Sequence, residues 1–291
     1  MLRGTILGDY LRVVMVWAGT RDTQALRLAA RWATLLSDGS TPPTVCIWST
    51  KSTTTPSCLD EVDLCWHHLR LPTRVDRHVH HAHPRLPWSP WGVKSGPNFQ
   101  FFRVLDEFAA AHPHDWVLYA EPDTFPMGTD PALPVTQLLE RHVAAWMIGG
   151  LPHPKTRKQL DVSMWRHLNG AALYKVGDSR FAEFRATTWI PSLLWKIRGF
   201  PEYAYDCITD PQQHVELPVR LAGSWAREAS RFVPTAGIVN LSTQTLTQTD
   251  VAGLADDRWL QNRCADEETT PWLLHAKGVE VTTSLLPRTI S

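Results

Sequence analysis

The stretch Trp116 to Gly128, WVLYAEPDTFPMG, ends an apolar run on two carboxylates. Five residues of buried-strand character deliver Glu121 and Asp123 to the carboxyl end of a strand, the place where open α/β sheets bind ligands. Carboxylates two apart in extended chain face the same way, with Pro122 turned aside. Two hard oxygen donors suit Mn2+ or Mg2+. A cation held there would bridge a diphosphate and neutralise a departing nucleoside diphosphate. The competing explanation is a polar turn, because Pro122 and Pro126 are turn residues.

Other residues could carry chemistry beside this pair. Lys94-Ser95-Gly96-Pro97-Asn98 precedes a helical run, so Asn98 near a helix N-terminus offers N–H groups to an anion and Lys94 adds charge. A helix cap explains the same residues. Asn169 can donate to and accept from hydroxyls, and Gly170 lets the backbone approach a ligand closely. A strand entry is the plain alternative. Ala18, Gly19 and Thr20, where the first strand ends, are the expected place for base and ribose contacts. For a proton-accepting group the candidates are Asp206 and Asp210. Asp206 sits between Tyr205 and Cys207, and partial burial there would raise its pKa toward a working range. A cap or surface turn competes. The stretch His78 to His83 has no Cys or carboxylate at structural-zinc spacing and reads as a solvated loop.

The elements that must position these groups follow from periodicity. Leu11 to Ala18 is a buried strand by its continuous β-branched content, and Arg21 to Leu36 has helical apolar spacing. Thr44 to Trp48 is a second strand, giving a strand-helix-strand opening and hence a parallel sheet. Val62 to Trp66 and Trp116 to Ala120 are further strands, and Pro97 to Ala111 is a helix with Pro where its missing N–H does no harm. Beyond these, Val135 to Val143 and Ser179 to Thr187 read as helices. Ala144 to Ile148, His167 to Lys175, Gly237 to Leu241 and Trp272 to His275 read as extended.

Composition narrows the function classes. The 291 residues hold 29 Lys plus Arg against 29 Asp plus Glu, a balance that lowers the expectation of a nucleic-acid or anionic-membrane partner. Five scattered cysteines without C-x-x-C spacing suggest thiols in a reducing compartment. The longest apolar runs, such as Val13 to Ala18, are too short to span a bilayer, and no signal-peptide pattern is seen, so a cytoplasmic protein without a transmembrane segment is expected. Fourteen tryptophans exceed ordinary usage and raise the prospect of aromatic faces that stack on sugars.

In chain order, the opening strand-helix-strand, Gly96-Pro97-Asn98, Glu121-Pro122-Asp123, Asn169-Gly170 and His275-Ala276-Lys277 resemble the motif series of GT-A glycosyltransferases, with the D-x-D motif present as E-P-D. The resemblance covers roughly residues 10 to 278. It implies an α/β fold with a GT-A-like mixed, mostly parallel sheet flanked by helices and a Rossmann-like nucleotide-binding half. It also implies a single domain over 1–291, with a nucleotide-sugar half at 10–130, an acceptor and catalytic half at 131–278 and a tail at 279–291. Asp123 would bind the metal, and Glu121 would contact the metal or the donor ribose. Asn169 and Gly170 would lie beneath the sugar, His275 would be a third ligand, and Lys277 would reach a phosphate. The activity implied is metal-dependent transfer of a hexosyl or pentosyl group from a nucleotide-sugar donor to an acceptor hydroxyl, on a glycan, a protein or a modified nucleic acid. Two other readings stand beside it: a catalytically degenerate sugar- or nucleotide-binding module of the same fold, and a nucleotidyltransferase. The sparse Ala18-Gly19-Thr20-Arg21 lacks the Gly-rich loop that the last would show.

Overall fold

The computed structural model describes residues 11–17, 45–49, 64–68, 94–111, 116–121, 124–127, 132–153, 166–241 and 273–276. Strands β1 (Leu11–Trp17), β2 (Val45–Ser49), β3 (Leu64–His68) and β4 (Trp116–Ala120) lie parallel in the order β3-β2-β1-β4. The sheet continues through β7 (Ala172–Tyr174), β6 (Met147–Gly149) and β8 (Phe232–Pro234). Only β7 runs against its neighbours, since β6 is antiparallel to β7 and β8 is parallel to β6. This is the mixed, mostly parallel α/β sheet expected from the sequence. A second sheet has β10 (Leu273–Ala276) between β5 (Thr124–Pro126) and β9 (Ile238–Leu241).

Strand β4 is buried along its whole length, as a continuous apolar run in a sheet covered on both faces should be. Helix α1 (Ser95–Ala111) packs Phe101, Phe102, Leu105 and Phe108 into the core beside it. Helix α2 (Ala132–Arg141) buries Val135, Leu138 and Leu139, three and four residues apart.

Residues 179–199 form one long helical rod with an internal change of pitch. Helix α3 (Ser179–Phe184), capped by the Asp178 carboxylate, passes into a π turn at Arg185–Trp189 and then into α4 (Ile190–Gly199). The Ile190 N–H reaches Arg185 O, five residues back. Pro191 follows and has no N–H to give to Thr187 O, and a wider turn accommodates its ring. A proline that should end a helix here only loosens one, so the rod outlasts the expected Ser179 to Thr187.

Helix α5 (Val219–Glu228) closes the fold, burying Leu221 and Trp225 four apart. Trp146, Trp189 and Trp225 are fully buried, joined through Phe181, Phe184 and Phe232. Of the tryptophan side chains described, only Trp195 is exposed, so the aromatic surplus there serves packing. No helix among the described residues is long and apolar enough to cross a membrane.

Candidate active site

The carboxyl edge of β4 is where the sequence-derived groups gather. Glu121 leaves the strand half-buried. Its N–H donates to Thr124 Oγ1 at 3.0 Å, and Thr124 N–H donates back to Glu121 O at 2.9 Å. These two bonds tie Glu121, at the strand exit, to Thr124 three residues on. The extended Glu-Pro-Asp run expected from the sequence passes through Pro122, which lies outside the described residues. Asp123 itself lies outside the described residues.

Thr124 opens β5, which pairs with β10 so that His275 stands opposite Thr124. On the other side of β10, His275 is in register with Asn240 of β9. The backbone thus places His275 one rung from the residue that follows Asp123, although the two are far apart in sequence. Asn240 carries the connection inward: its Nδ2 donates to Gly150 O at 2.6 Å. The same carbonyl accepts the Asn169 N–H at 3.1 Å. One peptide oxygen, at the exit of β6, joins the His275 rung to the Asn169-Gly170 segment.

The sequence reading has Gly170 letting a ligand come close. The group that comes close is Tyr205: a β-carbon on Gly170 would overlap its hydroxyl and lie 2.6 Å from its Cζ. Tyr205 cannot yield easily. Its ring stacks on Phe101 at 3.8 Å, its N–H donates to Asn98 Oδ1 at 2.8 Å, and its carbonyl accepts from Trp189 Nε1 at 2.8 Å. Asn98 also donates from Nδ2 to Tyr203 O at 3.0 Å and is fully buried. It clamps the 203–205 loop from the first turn of α1. Replacing Asn98 with alanine strands a buried N–H and a buried carbonyl, at about 1–3 kcal/mol each. Urea unfolding of Asn98→Ala is the check, with unchanged stability as the contrary result.

The clamp fixes the next residue, Asp206. Its Oδ2 accepts the Gly170 N–H at 3.2 Å and lies 3.9 Å from His167 Nε2; the side chain is 15% exposed. Cys207 Sγ approaches Oδ1 at 3.8 Å. Burial, then the Asp206 charge, pushes that thiol up to about 12, so it stays protonated near neutrality. Asp210 differs from Asp206: it is fully buried, with Oδ2 accepting from Arg166 N–H at 2.8 Å and Oδ1 from Gln212 N–H at 2.9 Å. Both its oxygens hold backbone, which is the work of a turn cap.

Electrostatics tie the two carboxylate sources together. Burial, then Glu121 and Asp206, raises the Tyr119 phenol well above its ordinary value. Tyr174 and Tyr205 are raised in the same direction by burial first, and each also feels both carboxylates. Glu121 and Asp206 therefore both act on one cluster of neutral phenols, Tyr119, Tyr174 and Tyr205. Lys94, half-buried, is near enough to act on the Cys207 thiol.

Ala18, Gly19, Thr20, Asp123, Lys277, the His78 to His83 stretch and the side chain of His275 lie outside the described residues. Among the described residues no three His, Cys, Asp or Glu side chains gather to hold an ion. Sequence reasoning missed Asn240 and Gly150, single residues whose partners lie 90 positions away. It also missed His167, for which Asn-Gly two residues later was the available signal.

No protein-family model matches the chain, and no curated protein sequence matches it. Among solved structures, mouse xyloside xylosyltransferase 1 in its apo form is similar, with a TM-score of 0.49 and 11% identity over 92% of this chain and 97% of that one. S. aureus TarS gives 0.37 and 10% identity over 70% and 33%; its residues 1–349 give 0.38 and 10% over 76% and 70%. At those values the likeness carries no argument about activity.

Proposed function

We propose that the chain is a metal-dependent glycosyltransferase that moves a hexosyl or pentosyl group from a nucleotide-sugar donor to an acceptor hydroxyl on a glycan, protein or modified nucleic acid. The observation that carries it is the Gly150 carbonyl, which accepts from both the Asn169 N–H and Asn240 Nδ2 and so joins the Asn169-Gly170 segment to the His275 rung. Asp206 joins the first through the Gly170 N–H, and Thr124, bonded to Glu121, joins the second through β5.

The donor set fits a hard or borderline cation: Asp123 and Glu121 offer oxygen, and His275 offers an imidazole. Mn2+ or Mg2+ held by them would neutralise charge on the departing diphosphate. Asn169, whose Oδ1 already accepts from Ala171 N–H, keeps its Nδ2 for a sugar hydroxyl. Lys94 supplies positive charge beside the 206–207 turn. Asp206 Oδ2 is held by the Gly170 N–H, and Oδ1 takes the acceptor proton as the acceptor oxygen bonds to the anomeric carbon. The bond from that carbon to the diphosphate oxygen breaks, so configuration inverts.

Asp206→Asn keeps an acceptor for Gly170 and removes the base. It is expected to lower kcat by about 10^2 to 10^4 while the fold persists. The product's anomeric configuration is read by NMR in the same assay, and a retained configuration or an undiminished kcat overturns the role. A thermal-shift panel of nucleoside diphosphates with and without Mn2+ tests the activity itself. A ligand at 100 times its Kd adds about 2.7 kcal/mol to stability, enough to raise Tm visibly. No shift with any nucleotide, with or without metal, sinks the transferase reading.

A further inference from the structure

The N–H groups of Arg166, Leu168 and Gly170, alternate residues of the stretch that leads into β7, all point to acceptors outside that stretch. A backbone strand would normally take them. Here three side chains of the turn after Tyr205 take them instead: Asp210 Oδ2 from Arg166 at 2.8 Å, Thr209 Oγ1 from Leu168 at 2.7 Å, and Asp206 Oδ2 from Gly170 at 3.2 Å. Between them, the Asn169 N–H goes to backbone, at Gly150 O. This is why the expected His167 to Lys175 strand forms only at Ala172–Tyr174: the stretch before it is paired to side chains.

Thr209 stands at the centre of this ladder. It is buried, and while its hydroxyl accepts from Leu168 it donates to Asp206 O at 2.7 Å. A hydroxyl that accepts and donates at once spends its only proton, and such chains strengthen their members. It links the amide beside Asn169 to the backbone that carries the Asp206 carboxylate.

We propose that Thr209 is a positioning residue that makes 166–170 and 206–210 one cooperative unit, holding the Asp206 carboxylate on the Gly170 N–H. What that carboxylate does rests on the transferase reading; the coupling does not. A side-chain rung can be removed singly, which a backbone strand does not permit.

Amide hydrogen exchange on the labelled 291-residue chain tests it. Thr209→Val removes the hydroxyl and keeps the shape. Exchange at both Leu168 and Gly170 is expected to quicken by about tenfold, although only the Leu168 bond is deleted, while β4 and β6 keep their protection. The transfer kcat should fall by about tenfold with the donor KM within about twofold, a split that general loosening would not give. Thr209→Ser should restore both readings. A rise confined to Leu168 overturns the proposal. If Thr209→Val does not fold, wild-type exchange against denaturant decides: Arg166, Leu168 and Gly170 must open with one free energy and one denaturant slope, and separate openings overturn it. That arm needs no substrate, so it tests the coupling even if no donor is ever turned over.

Discussion

Gly170→Ala is expected to cost on the order of 3 kcal/mol of stability, the upper range for forcing an extra carbon into a packed core. The added carbon would overlap the Tyr205 hydroxyl and sit 2.6 Å from Cζ and 2.9 Å from Cε2. Moving the ring is resisted by its stack on Phe101, and moving its backbone by the Asn98 and Trp189 bonds. Relief by moving Gly170 would break its N–H bond to Asp206 and its carbonyl's bond from the Tyr174 hydroxyl at 2.9 Å. Urea denaturation measures the loss, with the midpoint falling and the slope unchanged. Gly170→Ala combined with Tyr205→Leu separates the two accounts of this glycine. If Tyr205 is what Gly170 makes room for, the second change suppresses part of the first. If the effects simply add, the close approach to Tyr205 is not what demands glycine.

Asp123→Ala is expected to lower kcat/KM for transfer by about 10^3 or more, which corresponds to the several kcal/mol of charge stabilisation that a lost cation would withdraw. Thr124, the next residue, is buried and paired through β5 to His275, so the neighbouring backbone has its own hold on the sheet. Stability should therefore stay within about 0.5 kcal/mol of the parent, as for a substitution away from packed features. Two readings check this: the rate, and the Mn2+-dependent rise in Tm with nucleoside diphosphate, which the variant should lack. A folded Asp123→Ala protein with full activity removes the mechanism.

The strands around the site were legible because their signal is local. WVLYA is a strand of a buried sheet whatever surrounds it, and the structure places β4 on those five residues. The helix expected from Pro97 starts two residues earlier, at Ser95, and ends where predicted. Three-residue strands such as β5 and β8 were not legible, because three residues carry no measurable period and exist only through their partners.

The candidate site divides along the same line. Glu121, Asn169 and Asp206 could be picked out by residue type and position, and the fold brings the stretches that carry them to one edge. Asn98 could also be picked out, but its two amide atoms turn out to hold Tyr203 and Tyr205, which lie 105 and 107 positions away. Asp206 and Asp210 are equivalent as letters. Burial separates them: Asp210 is sealed under Arg166 and Gln212, while Asp206 keeps partial exposure.

By itself the sequence determined the strand that ends in two acids, the parallel opening of the sheet and the residue types able to hold a cation and a sugar. These depend on periodicity and side-chain chemistry, which act within a few residues. Only the tertiary structure decided which acid keeps partial exposure, that Gly170 makes room for Tyr205, and that one carbonyl of Gly150 joins the parts. Each of those is a contact between segments tens of residues apart, and hydrogen bonding and steric exclusion act over a few ångströms, so they have no value until the chain has closed.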